Sequence, residues 1–441
     1  MDYFRNFREN IAPFTISRLL PYLSITITIA LQAHKNFSDL PMLAYLLATY
    51  AVPVSIISMS IAIIGNFVAL NKGSFEKNNL LFRTGFTASL ILAAITTAAC
   101  LLVHLYWVSD SGIYGVDAAK LKSMSFIYIA STPFLVINTF LFFFNEAYKK
   151  ASSSTRIESI SAAASFIFVF AAYALSEDNN FCYFSIASIV VCEILTLGMY
   201  AFLSKKRRFT FTISFNIHLF KKIAAVGVPI SFGLGGQKIF FFLMTERLIR
   251  ISPDLVSMLS VTMSIVGFLL IPTSAFSQLH SLYISRNTRS LSMYNKVGML
   301  YLAIISIVTI APFVLFSGVF YEVFGGTEPL ATQKLTVAVT FFLVTSGLIA
   351  FGMSQLRAIK DTLTPQVIMN SLMLLILYPV FISSYFDNAD LADFLLAESV
   401  ALFLGYVFLH IRTTYLGKKL STTAESDTSK LPAENTISAT S

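Results

Sequence analysis

Long apolar runs separated by short polar stretches set the pattern of this chain. They fall near 11–33, 41–70, 82–108, 123–146, 157–175 and 181–203, then near 219–244, 254–284, 294–320, 332–355, 365–386 and 390–412. A hydrocarbon layer about 30 Å thick is crossed by roughly 20 helical residues, so each run suffices for one span. Runs this long are read as helices, because unpaired backbone groups in lipid each cost several kcal/mol. The pattern predicts an all-α, polytopic membrane protein of twelve transmembrane helices. The first run lacks a small-residue cleavage site and is read as a retained helix. The tail 421–441 has no apolar periodicity and is expected to be disordered.

The longest polar connection, 204-SKKRRFTFTISFNIHLFKK-222, falls at the midpoint. It divides the chain into an N-lobe (1–203), a basic linker (204–222) and a C-lobe (223–420). A shift of 208 residues lays Pro21 on Pro229, 135-LV-136 on 343-LV-344 and Lys149 on Arg357. The halves therefore read as two six-helix lobes related by a pseudo-two-fold repeat along the membrane normal, with a solute site between them.

Composition agrees with a lipid environment: 56% of residues are hydrophobic and 12% are charged, beyond what a soluble domain tolerates. The net charge of +8 comes from short basic clusters between spans rather than one basic face, which argues against nucleic acid. Of the 31 Lys and Arg residues, 23 fall on the side carrying both termini, so that side is expected to be cytoplasmic. The opposite loops, such as 176-SEDNN-180 and 387-DNAD-390, are acidic. Cys100, Cys182 and Cys192 have no paired spacing and suggest neither a disulfide framework nor a metal site. No cofactor or enzymatic activity is expected, since no nucleotide loop or catalytic constellation is present.

Charges inside spans are expensive and point to a partner or a wet cavity. Glu193, about twelve residues into span 6, is the leading candidate. Arg18 in span 1 and Lys238, placed toward the outer end of span 7, are long enough to reach the interface as well as a cavity. Glu398 is expected at the outer interface and His280 at the inner one. Gln237, Asn138, Ser346 and Gln278 are neutral cavity candidates, or interhelical hydrogen-bond formers. The stretch 227-GVPISFGLGGQK-238 reads as a bend built from Pro229, Gly233, Gly235 and Gly236, or as a close-packing face.

The segment 356-LRAIKDT-362 with Pro365 resembles the loop after the tenth helix of multidrug and toxin extrusion (MATE) transporters, with Leu356, Arg357, Asp361 and Thr362 matching their pattern. The segment 226-VGVPISFGLGG-236 resembles their seventh helix. The resemblance implies a secondary-active exporter of an organic solute, coupled to a proton or sodium gradient, in a bacterial inner membrane and monomeric. The carboxylates that this family places in helices 1, 7 and 10 are absent: 11–38 holds no acid, Gln237 stands in helix 7 and Ser346 in helix 10. The segment 15-TISRLLPYL-23 resembles the first helix of related flippases, so a lipid-linked oligosaccharide flippase is the alternative, with Arg18 as its cation. A membrane scaffold or enzyme is a more distant reading. The solute, the coupling ion and the choice between exporter and flippase are not fixed by these residues.

Overall fold

The computed structural model describes residues 25–71, 74–108, 117–148, 152–286, 291–325, 331–359 and 361–428, and also Ile11, Thr15, Leu19, Tyr22 and Leu23. Residues 25–35 form α1. The helices α2 (Leu40–Ala62), α3 (Phe75–Val103), α4 (Ala118–Tyr148), α5 (Ser152–Leu175) and α6 (Phe181–Lys206) follow. The second half holds α7 (Ile217–Ile251), α8 (Pro253–Arg286), α9 (Leu291–Leu315), α10 (Gln333–Ala358), α11 (Leu363–Asn370, continued to Phe381) and α12 (Leu391–Thr428). Ten of these are long and apolar enough to cross a membrane, and α7, bent by 44°, makes eleven. The first expected span and the expected tail lie in part outside the described residues, although α12 runs on to Thr428.

Side-chain caps set several helix starts, each satisfying a backbone N–H that the helix leaves unpaired. Ser74 Oγ accepts from Lys77 N, Asn216 Oδ1 from Leu219 N and Thr332 Oγ1 from Leu335 N. Two boundaries differ from the sequence reading in ways that matter below. Helix α5 begins at Ser152 rather than near 157, and α7 ends at Ile251 rather than near 244.

A shift of 208 residues brings the start of α4 within seven residues of that of α10, and the start of α6 within two of that of α12. Packing repeats as well. Helix α4 packs on α2, α3 and α6, while α10 packs on the corresponding α8, α9 and α12. The connection between the halves is shorter than the basic linker, since Ser204–Lys206 belong to α6 and Ile217 opens α7. Its intervening residues lie against the N-lobe. Phe209 is buried among Phe82, Phe144 and Tyr148, Arg207 donates to Asn145 Oδ1 at 2.8 Å, and Ser214 exchanges two hydrogen bonds with Thr87.

The two membrane faces differ. At the acidic face, ion pairs absorb the cations of the short loops: Lys35 with Asp178, Lys120 with Asp39, Arg247 with Asp387, and Lys334 with Asp390 and Asp393. One continuous apolar core there joins α2, α4 and α6 to α7, α8, α10 and α12. Toward the basic face lie three smaller clusters: one of N-lobe side chains together with Ile223 of α7, and two of C-lobe side chains, the first with Ile11 packed against it. Helix α2 packs along α7 and also touches α8. The lobes are thus closed together at the acidic face. Phe242 of α7 meets Tyr45 and Trp107 there, and His34 Nε2 lies 3.2 Å from the Val323 carbonyl.

Candidate functional site

A polar stripe on α5, formed by Ser154, Glu158, Ser161 and Ser165, follows helical spacing of four, three and four. A second on α6 carries Cys192, Glu193, Thr196 and Tyr200. The two helices pack together, and the stripes meet: Ser161 Oγ lies 2.5 Å from Thr196 Oγ1, and the Tyr200 hydroxyl donates to Glu158 Oε1 at 2.7 Å. From α4, the Asn138 amide donates to Glu193 Oε2 at 2.6 Å and to the Glu193 carbonyl at 2.8 Å. Half-buried carboxylates within membrane spans are stabilised by such donors.

Glu158, Ser161, Ser165, Cys192 and Glu193 border a cavity of about 660 Å³, while Asn138, Thr196 and Tyr200 do not line it; that volume is within the range of sites for drug-sized ligands. The N-lobe supplies Glu158, Glu193, Ser185 and Ser188, with Tyr22 and Tyr128 as aromatic wall. The C-lobe closes it with Lys238 and Phe241 of α7 and Ser260, Met263 and Ser264 of α8. One polar contact crosses between the lobes at this level: the Tyr22 hydroxyl donates to the Met263 carbonyl at 3.0 Å and approaches that of Ser264 at 3.3 Å. It fits because Gly267 leaves open the space that a Cβ would fill.

Lys238 corrects the expectation of a residue near the outer end. Helix α7 continues for thirteen residues to Ile251, about 20 Å of rise. Glu193 lies twelve residues from the start of α6, about 18 Å. The two charges therefore stand at similar depth, on opposite lobes. Glu158 was not singled out from sequence, because a span starting near 157 leaves it at the surface. The serine periodicity around it was the available signal.

The other candidates are scattered. Arg18 lies outside the described residues. Gln237, Ser346 and Gln278 are half-buried on α7, α10 and α8 and do not line this cavity. Glu398, expected at the interface, is 8% exposed inside the C-lobe, because α12 packs against α10 on that side. His280, also expected at an interface, is buried against the rings of Phe276 and Phe351.

The bend in α7 falls between Val228 and Ser231, where Pro229 removes a helical hydrogen bond. The glycines that follow serve close approach. A Cβ on Gly235 would lie 2.5 Å from Ile56 of α2, one on Gly233 2.7 Å from Gln366, and one on Gly236 would strike Asn370. In the motif after α10, Leu356 is buried and Arg357 exposed. Thr362 precedes α11 without a side-chain capping bond. Asp361 ties three elements together: its N–H donates to the Leu356 carbonyl, and its carboxylate accepts from Thr364 N and from Arg412 Nε at 3.0 Å. That motif clamps the basic end of the C-lobe and does not reach the cavity.

No family sequence model matches the chain, and no curated protein sequence matches it. Solved structures do. The chain is similar to an inward-facing multidrug resistance MATE family transporter of the MOP superfamily, with a TM-score of 0.66 at 14% identity over 92% of this chain and 96% of that one. It is similar to the eukaryotic MATE transporter AtDTX14, with a TM-score of 0.68 at 14% identity over 96% and 100%. A third is a MOP superfamily transporter from Pyrococcus furiosus, described as having a binding pocket of reverse polarity that suggests a different function. Its TM-score is 0.65 at 16% identity, over 92% and 96%. The fold is that of MATE transporters, two six-helix lobes in a membrane.

Proposed function

We propose that this chain is a secondary-active exporter that moves an organic solute across a bacterial inner membrane by alternating closure of its two lobes. Both termini are placed on the cytoplasmic side by the distribution of Lys and Arg, and the chain acts as a monomer. The observation that carries this reading is the cavity itself. It lies at mid-membrane, its walls come from both lobes, and it holds two carboxylates beneath a closed acidic face. Alternating access requires a solute cavity between two lobes whose contacts can break at one face and form at the other.

Glu193 supplies the coupling chemistry. A carboxylate that takes up a proton or sodium ion when the cavity faces one side, and releases it when the cavity faces the other, biases the lobes through its differential occupancy. Asn138 holds one oxygen of that carboxylate, and Glu158, held by Tyr200, supplies a second anionic position. A flippase for pyrophosphate-linked glycans is less well supported, because these two carboxylates would repel the pyrophosphate.

The test uses liposomes carrying the reconstituted protein and an imposed proton or sodium gradient. Adding a panel of aromatic amines and amino acids should dissipate one of the two gradients with the native chain. Glu193→Gln should abolish that dissipation while leaving insertion unchanged. A native chain that dissipates neither gradient, or a variant equal to the native chain, contradicts the proposal.

A further inference from the structure

The two lobes bring opposite charges to one cavity, and the internal repeat shows that neither charge has a twin. Adding 208 takes Glu158 to Gln366, Glu193 to Ala401 and Tyr200 to Phe408, while Asn138 goes to Ser346. Subtracting 208 takes Lys238 to Ala30. Among the residues lining the cavity, the acids are therefore confined to the N-lobe and the one cation to the C-lobe. Lys238 and Glu193 stand at similar depth, yet no ion pair joins them among the described residues. Glu193 is held by Asn138 and Glu158 by Tyr200, on their own lobe. The anions are held on one wall and the ammonium stands on the other.

From this arrangement we infer that the cavity takes a zwitterionic, partly aromatic solute. Its ammonium faces Glu193 and Glu158 on the N-lobe, and its carboxylate faces Lys238 on the C-lobe. The inference rests on the transporter reading and names its substrate class. A cation alone leaves the Lys238 ammonium on the cavity wall without a counter-charge, and an anion alone meets two carboxylates. Only a molecule carrying both charges satisfies both walls, because a charge inside a span is stabilised by an opposite one. Tyr22, Tyr128, Phe241 and Met263 supply the apolar surface for the rest of the molecule. Binding across the lobes also gives the solute a grip on both moving bodies, so its departure is linked to their separation.

The test uses one skeleton in four charge states: the dipeptide phenylalanyl-phenylalanine, its methyl ester, its N-acetyl form and its doubly capped form. Binding is read as shifts in intrinsic fluorescence and thermal stability of the full chain in nanodiscs. The zwitterion should bind about tenfold or more tightly than either singly capped form. Lys238→Met should bring the zwitterion and the ester to equal affinity without weakening the ester. Glu193→Gln should do the same for the zwitterion and the N-acetyl form. An ester that binds as tightly as the zwitterion to the native chain, or no binding by any of the four, overturns the inference. Thiol cross-linking between the lobes in the same samples separates the two claims. Lobes that alternate without a preference for the zwitterion sink the substrate class alone, and lobes that never alternate sink the transporter reading.

Discussion

At Glu193 the Asn138 amide reaches one carboxylate oxygen at 2.6 Å, and the energy of that contact is measurable. Interhelical hydrogen bonds in membranes are worth about 0.6 kcal/mol on average and about 1.7 at most. A double-mutant cycle on Asn138→Ala and Glu193→Ala, read by unfolding in mixed micelles, should therefore return a coupling within that range. Additive effects would mean that the pair is not formed. Asp361 allows a test by pH. Burial would raise its carboxyl, but hydrogen bonds from Thr364 and Arg412 outweigh it and hold the group below its ordinary value of 3.8. A group depressed in the folded state stabilises above its unfolded value and loses that contribution as pH falls through the folded one. The hydrogen-exchange protection of the Thr364 amide, which donates to that carboxylate, should then fall as pH drops below about 3.8, the carboxylate range. In Asp361→Ala it should be low throughout. Arg412 is partly exposed, so the effect is small and local. Glu193 was legible from sequence because a short acid twelve residues into a span has no route to water. Glu158 was not, because its depth depended on a helix start that apolar periodicity alone put five residues late.

Along α7 the proline and the glycines do different work. Pro229 lies at the 44° bend, and the glycines let α2 and α11 approach. Gly227 is the most constrained of them, since an added Cβ would run into the backbone carbonyl of Ser60, whereas Gly233, Gly235 and Gly236 face side chains that can shift. Overpacking costs about 1–3 kcal/mol. Gly227→Ala should thus lower thermal stability in detergent more than Gly235→Ala, which needs only Ile56 to move. The reverse order would contradict the packing described for α2 and α7. Sequence located the bend and the small-residue face in one stretch, but it could not assign them separately, because glycine serves flexibility and close approach equally well. The motif after α10 shows the same limit: its residues were recognisable, while its role as a clamp depended on Arg412, 51 residues after Asp361.

For the whole molecule, the period of apolar runs and the 208-residue repeat made the twelve-helix, two-lobe architecture legible. The direction of closure was not, because it is set by contacts between helices far apart in the chain, such as Phe242 with Tyr45 and Trp107. The central claim is that the lobes exchange closure between the two faces. Distances between spin labels test it most directly, in a background lacking the three native cysteines. One pair, at Glu177 and Tyr385, spans the lobes at the acidic face, and the other, at Lys77 and Leu363, spans them at the basic face. Across a proton or sodium titration, the account predicts that the acidic-face distance lengthens as the basic-face distance shortens, and that Glu193→Gln removes both responses. Distances that stay fixed, or that change in the same direction at both faces, would contradict it.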